Sequence, residues 1–143
     1  MAEGVFRKLV EQAGYADRVE IDSAGTHAYH VGEPPDARAR VAAARRGVDI
    51  GRLRGRQAIE RDLVHHDYVL AMDHDNYAHL RALSPPGHEH KVRLFLEYAT
   101  RSPERAVPDP YFGGASGFDR VLDLIEDAAE GLLREISGRL ERR

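Results

Sequence analysis

The stretch "VPDPYFGG" at residues 107–114 holds the residues best suited to chemistry. Asp109 stands between Pro108 and Pro110, whose rings keep the preceding backbone extended and out of a helix. A carboxyl group fixed in this way beside Tyr111 and Phe112 could be presented to an aromatic substrate. As a general acid it would protonate a leaving oxygen, provided partial burial or a nearby anion lifted its pKa. The same residues also read as turn chemistry, Asp-Pro followed by Gly-Gly, and the segment alone leaves both readings open. A further aromatic residue, Tyr29, falls in a loop after a predicted strand, shortly before Gly32. Ligands of open α/β sheets bind at the carboxyl ends of strands, where that loop belongs. A half-buried loop tyrosine is the alternative.

Other chemistries are narrowed by composition. The chain has no cysteine, which removes disulfides, thiolate metal sites and any thiol nucleophile from these 143 residues. His88 and His90 could both touch a metal, but no carboxylate or third histidine is read at ligand spacing, and His65-His66 reads as a surface pair. No metal and no cofactor are expected. Arg38, Arg40, Arg45, Arg46, Arg52, Arg54 and Arg56 form a basic stretch, read as a solvated helix face because the net charge is -3. That charge, with a pI near 6.2, argues against a nucleic-acid partner. No apolar run suits a membrane span or a signal peptide, so a cytoplasmic location without a membrane partner is expected. With 42% hydrophobic and 31% charged residues, residues 1–143 read as a single globular domain.

The elements that must hold these residues follow from periodicity. Ala2, Val5, Phe6, Leu9 and Val10 recur at helical spacing, and Gly14 suits a helix stop. No Ser, Thr, Asp or Asn precedes that helix to satisfy its first-turn N–H groups, so the chain opens inside a helix. "RVEIDSAG" predicts a strand from the alternation of Val19 and Ile21. Asp36 predicts an N-cap for the helix "ARARVAAARRG", stopped by Gly47. "DYVLAMD" and "KVRLFLE" predict strands buried on both faces, with a helix at "DNYAHLRAL" between them that breaks at Pro85-Pro86. Val121, Leu122, Leu124, Ile125, Ala128, Leu132, Leu133 and Ile136 form the apolar stripe of the strongest helix. Strands alternating with helices give a doubly wound α/β fold, although three strands make a thin sheet.

In order along the chain, "MAEGVFRKL", "DSAGT", "HVGEPPDARA", Arg56-Gln57, "LAMDHDN", "DPYFGG" and "VLDLIEDAAEGLL" resemble the low-molecular-weight protein tyrosine phosphatases, from Met1 to about Leu133. The resemblance implies a three-layer parallel sheet with helices on both faces and hydrolysis of phosphotyrosine proteins through a cysteinyl-phosphate. It assigns Asp109 as general acid, Tyr111 and Phe112 as one wall of the substrate pocket, and Tyr29 as the opposite wall. Aromatic packing of this kind would select phosphotyrosine over shorter phosphoserine. Ser23 matches a serine that supports the phosphate loop, whereas Leu53 stands where many members carry a histidine.

The family's Cys-x5-Arg loop and its first, central strand precede the helix that matches "MAEGVFRKL". The expectation is therefore an N-terminally truncated domain that lacks the nucleophile and the phosphate-binding arginine and is inactive as given. A non-catalytic phosphotyrosine-binding module is the alternative, and a relative acting on arginine phosphate is a lesser one. An intact protein of this kind is expected to be a monomer.

Overall fold

The computed structural model describes residues 1–26, 31–108 and 114–142. The opening periodicity folds as α1 (Ala2–Gln12), which buries Val5, Phe6 and Val10. Gly14 ends it at φ 84°, a left-handed conformation that glycine adopts without steric cost. Asp36 caps α2 (Ala37–Arg45), its Oδ1 accepting the Arg38 N–H at 2.8 Å. A short α3 (Glu60–His65) leads into β1 (Val69–Ala71). Asp73 then caps α4 (His74–Leu83), which stops before the proline pair. A 3₁₀ turn at Glu89–Lys91 precedes β2 (Val92–Leu94), and a second follows at Phe95–Tyr98. The last element, α5 (Gly114–Glu141), is the longest.

β1 and β2 pair in parallel, with Val69 opposite Val92, Leu70 opposite Arg93 and Ala71 opposite Leu94. The strand period of two divides their side chains between two cores. Ala71, Val92 and Leu94 pack with Leu63 of α3 and Leu80 of α4. Leu70 faces the larger core on the other side, built from α1, α2 and α5 with Phe95 and Leu96. Helices thus cover both faces of a parallel sheet, the layered α/β architecture that the alternating pattern implies.

Several expectations need correcting. Residues 19–24 do not form a strand. They run without a ladder partner among the described residues, and only Gly25 beyond them makes an isolated parallel bridge, to Gln57. Alternation marks which side chains turn inward, and Val19 and Ile21 do pack on the core. A strand also needs a neighbouring backbone to bond, and among the described residues this stretch has none. β2 is not buried on both faces either, because Arg93 is exposed between buried Val92 and Leu94. Helix α3 and the 3₁₀ turns are too short for periodicity to reveal.

The basic stretch is more than a solvated face. Arg46 reaches across to α5, donating to Asp123 at 3.0 Å, Glu126 at 3.1 Å and the Asp119 carbonyl at 3.1 Å. Arg56 binds Asp62 through both terminal nitrogens, at 3.1 and 3.0 Å, and pairs with Asp22 at 3.0 Å.

Candidate active site

A groove of about 660 Å³ runs between residues 19–24 and β1. Its apolar walls include Phe6, Val19, Ile21, Leu70 and Phe95. At one end it meets the start of α1 (Met1, Glu3), Ser23 and Ala24, Thr26, Asn76 of α4 and Val107. This is the carboxyl end of β1, the end at which open α/β folds bind ligands.

Each of these segments is tied down. Ser23 Oγ donates to Glu3 Oε1 at 2.5 Å, while Glu3 Oε2 accepts from Arg7 at 2.7 Å. Ser23 is therefore linked to the first turn of α1 through a carboxylate whose side chain is only 7% exposed. Thr26 is buried and accepts from Asn76 Nδ2 at 3.3 Å, which joins the loop after residues 19–24 to the start of α4. The Gly25 N–H donates to the Arg56 carbonyl at 2.7 Å, and the Ala58 N–H donates back to the Gly25 carbonyl at 2.8 Å. Burial alone would push the Asp62 carboxyl up, but the Arg56 guanidinium and the Ile59 N–H hold it below the usual carboxylate range. Asp62 consequently remains an anion that fixes Arg56 beneath this loop.

The segment leading toward Asp109 is held from two sides. The Val107 N–H donates to the Met72 carbonyl at 2.8 Å, at the end of β1. Further back, Asp127 of α5 is 2% exposed and accepts the N–H groups of Thr100, Arg101 and Ser102 at 3.0, 3.1 and 2.9 Å. Burial works to raise the Asp127 pKa, yet these backbone donors outweigh it and hold the carboxyl below its ordinary value. The carboxylate organises a turn that would otherwise leave three N–H groups to find partners elsewhere.

Of the site residues read from sequence, Ser23 lies at this end of the groove, bonded to Glu3. Tyr29, Asp109, Tyr111 and Phe112 lie outside the described residues. Leu53 is partly buried and packs against the larger core. Sequence reasoning missed Glu3, Thr26, Asn76 and Asp127. Asp127 alone left a signal, as an acidic residue set among the apolar positions of α5. The others depend on contacts between distant segments.

Comparison with known proteins agrees with this fold. The family model for low molecular weight phosphotyrosine protein phosphatase matches residues 1–142. A low molecular weight protein-tyrosine-phosphatase of Streptomyces coelicolor is 39% identical over 146 residues, spanning 100% of this chain and 88% of that protein. A low molecular weight phosphotyrosine protein phosphatase of Schizosaccharomyces pombe is 38% identical over 138 residues, spanning 96% of this chain and 88% of that protein. The crystal structure of a protein tyrosine phosphatase from Entamoeba histolytica with Hepes in its active site superimposes with a TM-score of 0.92. It is 35% identical and is matched over 96% of this chain and 87% of its own. With α1, Ser23 and Val107 meeting at one end of a parallel sheet, the chain belongs to the low molecular weight protein tyrosine phosphatase family.

Proposed function

We propose that these 143 residues supply the proton-donating and substrate-packing side of a phosphotyrosine monoesterase. In this reading Asp109 gives its proton to the departing phenolate oxygen as the ester O–P bond breaks. Tyr111 and Phe112 pack one face of the substrate ring, and Tyr29 packs the other. Ser23, set by Glu3, supports the loop that holds the phosphate. The nucleophile of the family is a cysteine thiolate, which takes the phosphoryl group onto sulfur before water releases it. None of the 143 residues is a cysteine. In this reading the chain by itself is inactive, because Asp109 has no departing phenolate to protonate until a nucleophile attacks phosphorus.

The observation that carries this reading is the bond from Val107 to Met72. It brings the segment two residues before Asp109 to the carboxyl end of β1, beside Ser23 and the first turn of α1. Catalytic sets of this kind are strongly coupled, and loss of a nucleophile costs about a millionfold in turnover. Hydrolysis of p-nitrophenyl phosphate by the 143-residue chain is accordingly expected at the level of a buffer blank. A chain extended upstream by a strand and a Cys-x5-Arg loop should be active, and Asp109→Ala should suppress that activity. Turnover by the 143-residue chain that disappears in Asp109→Ala would overturn the proposal, as would an extended chain indifferent to that substitution.

A further inference from the structure

At the opposite end of the groove, the groups of Glu20, His65 and His66 converge, their ligand atoms all within 4.8 Å of one another. We propose that these three residues bind a borderline divalent cation of the zinc class, which clamps residues 19–24 to the carboxyl end of α3. Two imidazoles and one carboxylate form a donor set suited to zinc, copper or nickel rather than to magnesium or calcium, which favour oxygen ligands alone.

The backbones beneath the three side chains are already fixed. His65 is the last residue of α3 and His66 follows as its cap, with the His66 N–H bonded to the Asp62 carbonyl at 3.1 Å. Lys91 holds the same helix end by donating to the carbonyls of Leu63 and Val64 at 2.9 and 3.1 Å. On the other side, Glu20 lies between Val19 and Ile21, which are packed into the core. The Ile21 carbonyl accepts from Arg7 at 2.9 Å, and Asp22 pairs with Arg56.

Little ordering is therefore left for the ligands themselves. His65 Nε2 already sits 2.6 Å from Glu20 Oε2, and the two imidazole rings meet edge to face with centroids 4.8 Å apart. Zinc bonds of about 2.0–2.2 Å to nitrogen and oxygen place tetrahedral ligand atoms about 3.3 Å apart. Small side-chain rotations, opening the His65–Glu20 pair slightly and closing the wider separations, reach that geometry. Glu20 and His65 are exposed, so water can complete the coordination.

The surrounding charges are compatible with a cation. Asp67 lines the same groove and adds negative potential. Asp62 is engaged by Arg56. The nearby Arg18 is directed away, donating to the Leu140 carbonyl at 3.3 Å and lying over the Tyr15 ring. Glu20 and His65 are 45 positions apart, so a shared ion ties together two segments that no ladder joins among the described residues.

The test is calorimetric titration of the 143-residue chain with zinc chloride, with nickel and magnesium chlorides in parallel and a thermal melt of each mixture. One zinc per chain is expected to bind in the micromolar range, nickel is expected to compete, and magnesium should have no effect. Glu20→Gln, His65→Ala and His66→Ala should each weaken zinc by roughly tenfold or more, whereas His88→Ala should not. Zinc should raise the melting temperature of the wild-type chain and leave that of His66→Ala unchanged, because only an ion held by the folded form stabilises it. Undiminished binding by His65→Ala and His66→Ala, or sensitivity to His88→Ala instead, would overturn the proposal. So would a wild-type melt that zinc does not move, including the case of a chain with no folded transition to shift.

Discussion

Asp127 organises the backbone at residues 100–102, and its environment determines how it responds to pH. Three backbone N–H groups converge on a carboxylate that is almost fully buried. Asp127→Asn keeps the shape but offers one neutral acceptor and an amide donor where an anion stood. The variant is expected to lose about 1–3 kcal/mol in urea denaturation at pH 7, the usual cost of unsatisfied buried donors. The folded pKa of Asp127 lies below its ordinary value. Its contribution is therefore complete above about pH 4, near the unfolded pKa, and is lost as pH falls through the folded value. The difference between wild type and Asp127→Asn should accordingly narrow in strong acid. A gap that is the same at pH 7 and under strongly acidic conditions would show that the charge is not what holds the turn. Sequence reading passed over Asp127, because its partners lie 25–27 residues away and no local pattern names them.

Among the elements, α5 shows the tightest fit. A Cβ on Gly131 would lie 1.8 Å from the Tyr98 carbonyl oxygen, so the helix lies directly on the 3₁₀ turn that follows β2. Backbone cannot yield as a flexible side chain does. Gly131→Ala is thus expected to destabilise by about 1–3 kcal/mol or more, although alanine is the better helix former. A melt of Gly131→Ala equal to or above wild type would contradict this contact. The helices with strong periodicity, α1, α2, α4 and α5, were legible in the sequence because local residues determine them. Residues 19–24 were not, because alternation records burial while a strand is made by its partner.

For the whole molecule, the open question is how stability is distributed around the groove. Among the described residues β1 pairs only with β2, and residues 19–24 pair with neither strand. Unpaired backbone edges beside an apolar groove are poorly protected and invite association. The 143-residue chain is expected to have less than the usual stability of about 5–15 kcal/mol, with a broad urea transition and a tendency to aggregate. A sharp, reversible melt of a soluble monomer would contradict that expectation. No described helix is long and apolar enough to cross a membrane. The family and layer order were readable from sequence because "DSAGT", "DPYFGG" and the apolar stripe of α5 are local signals. By itself the sequence determined the positions of α1, α2, α4 and α5, the Asp36 cap, the absence of cysteine and the family resemblance. Only the tertiary structure brought Glu3 to Ser23, Asp127 to the turn at residues 100–102, Val107 to Met72, and Glu20 to His65. These pairs join segments far apart in the chain, and their distances are fixed by how layers pack rather than by any spacing along it.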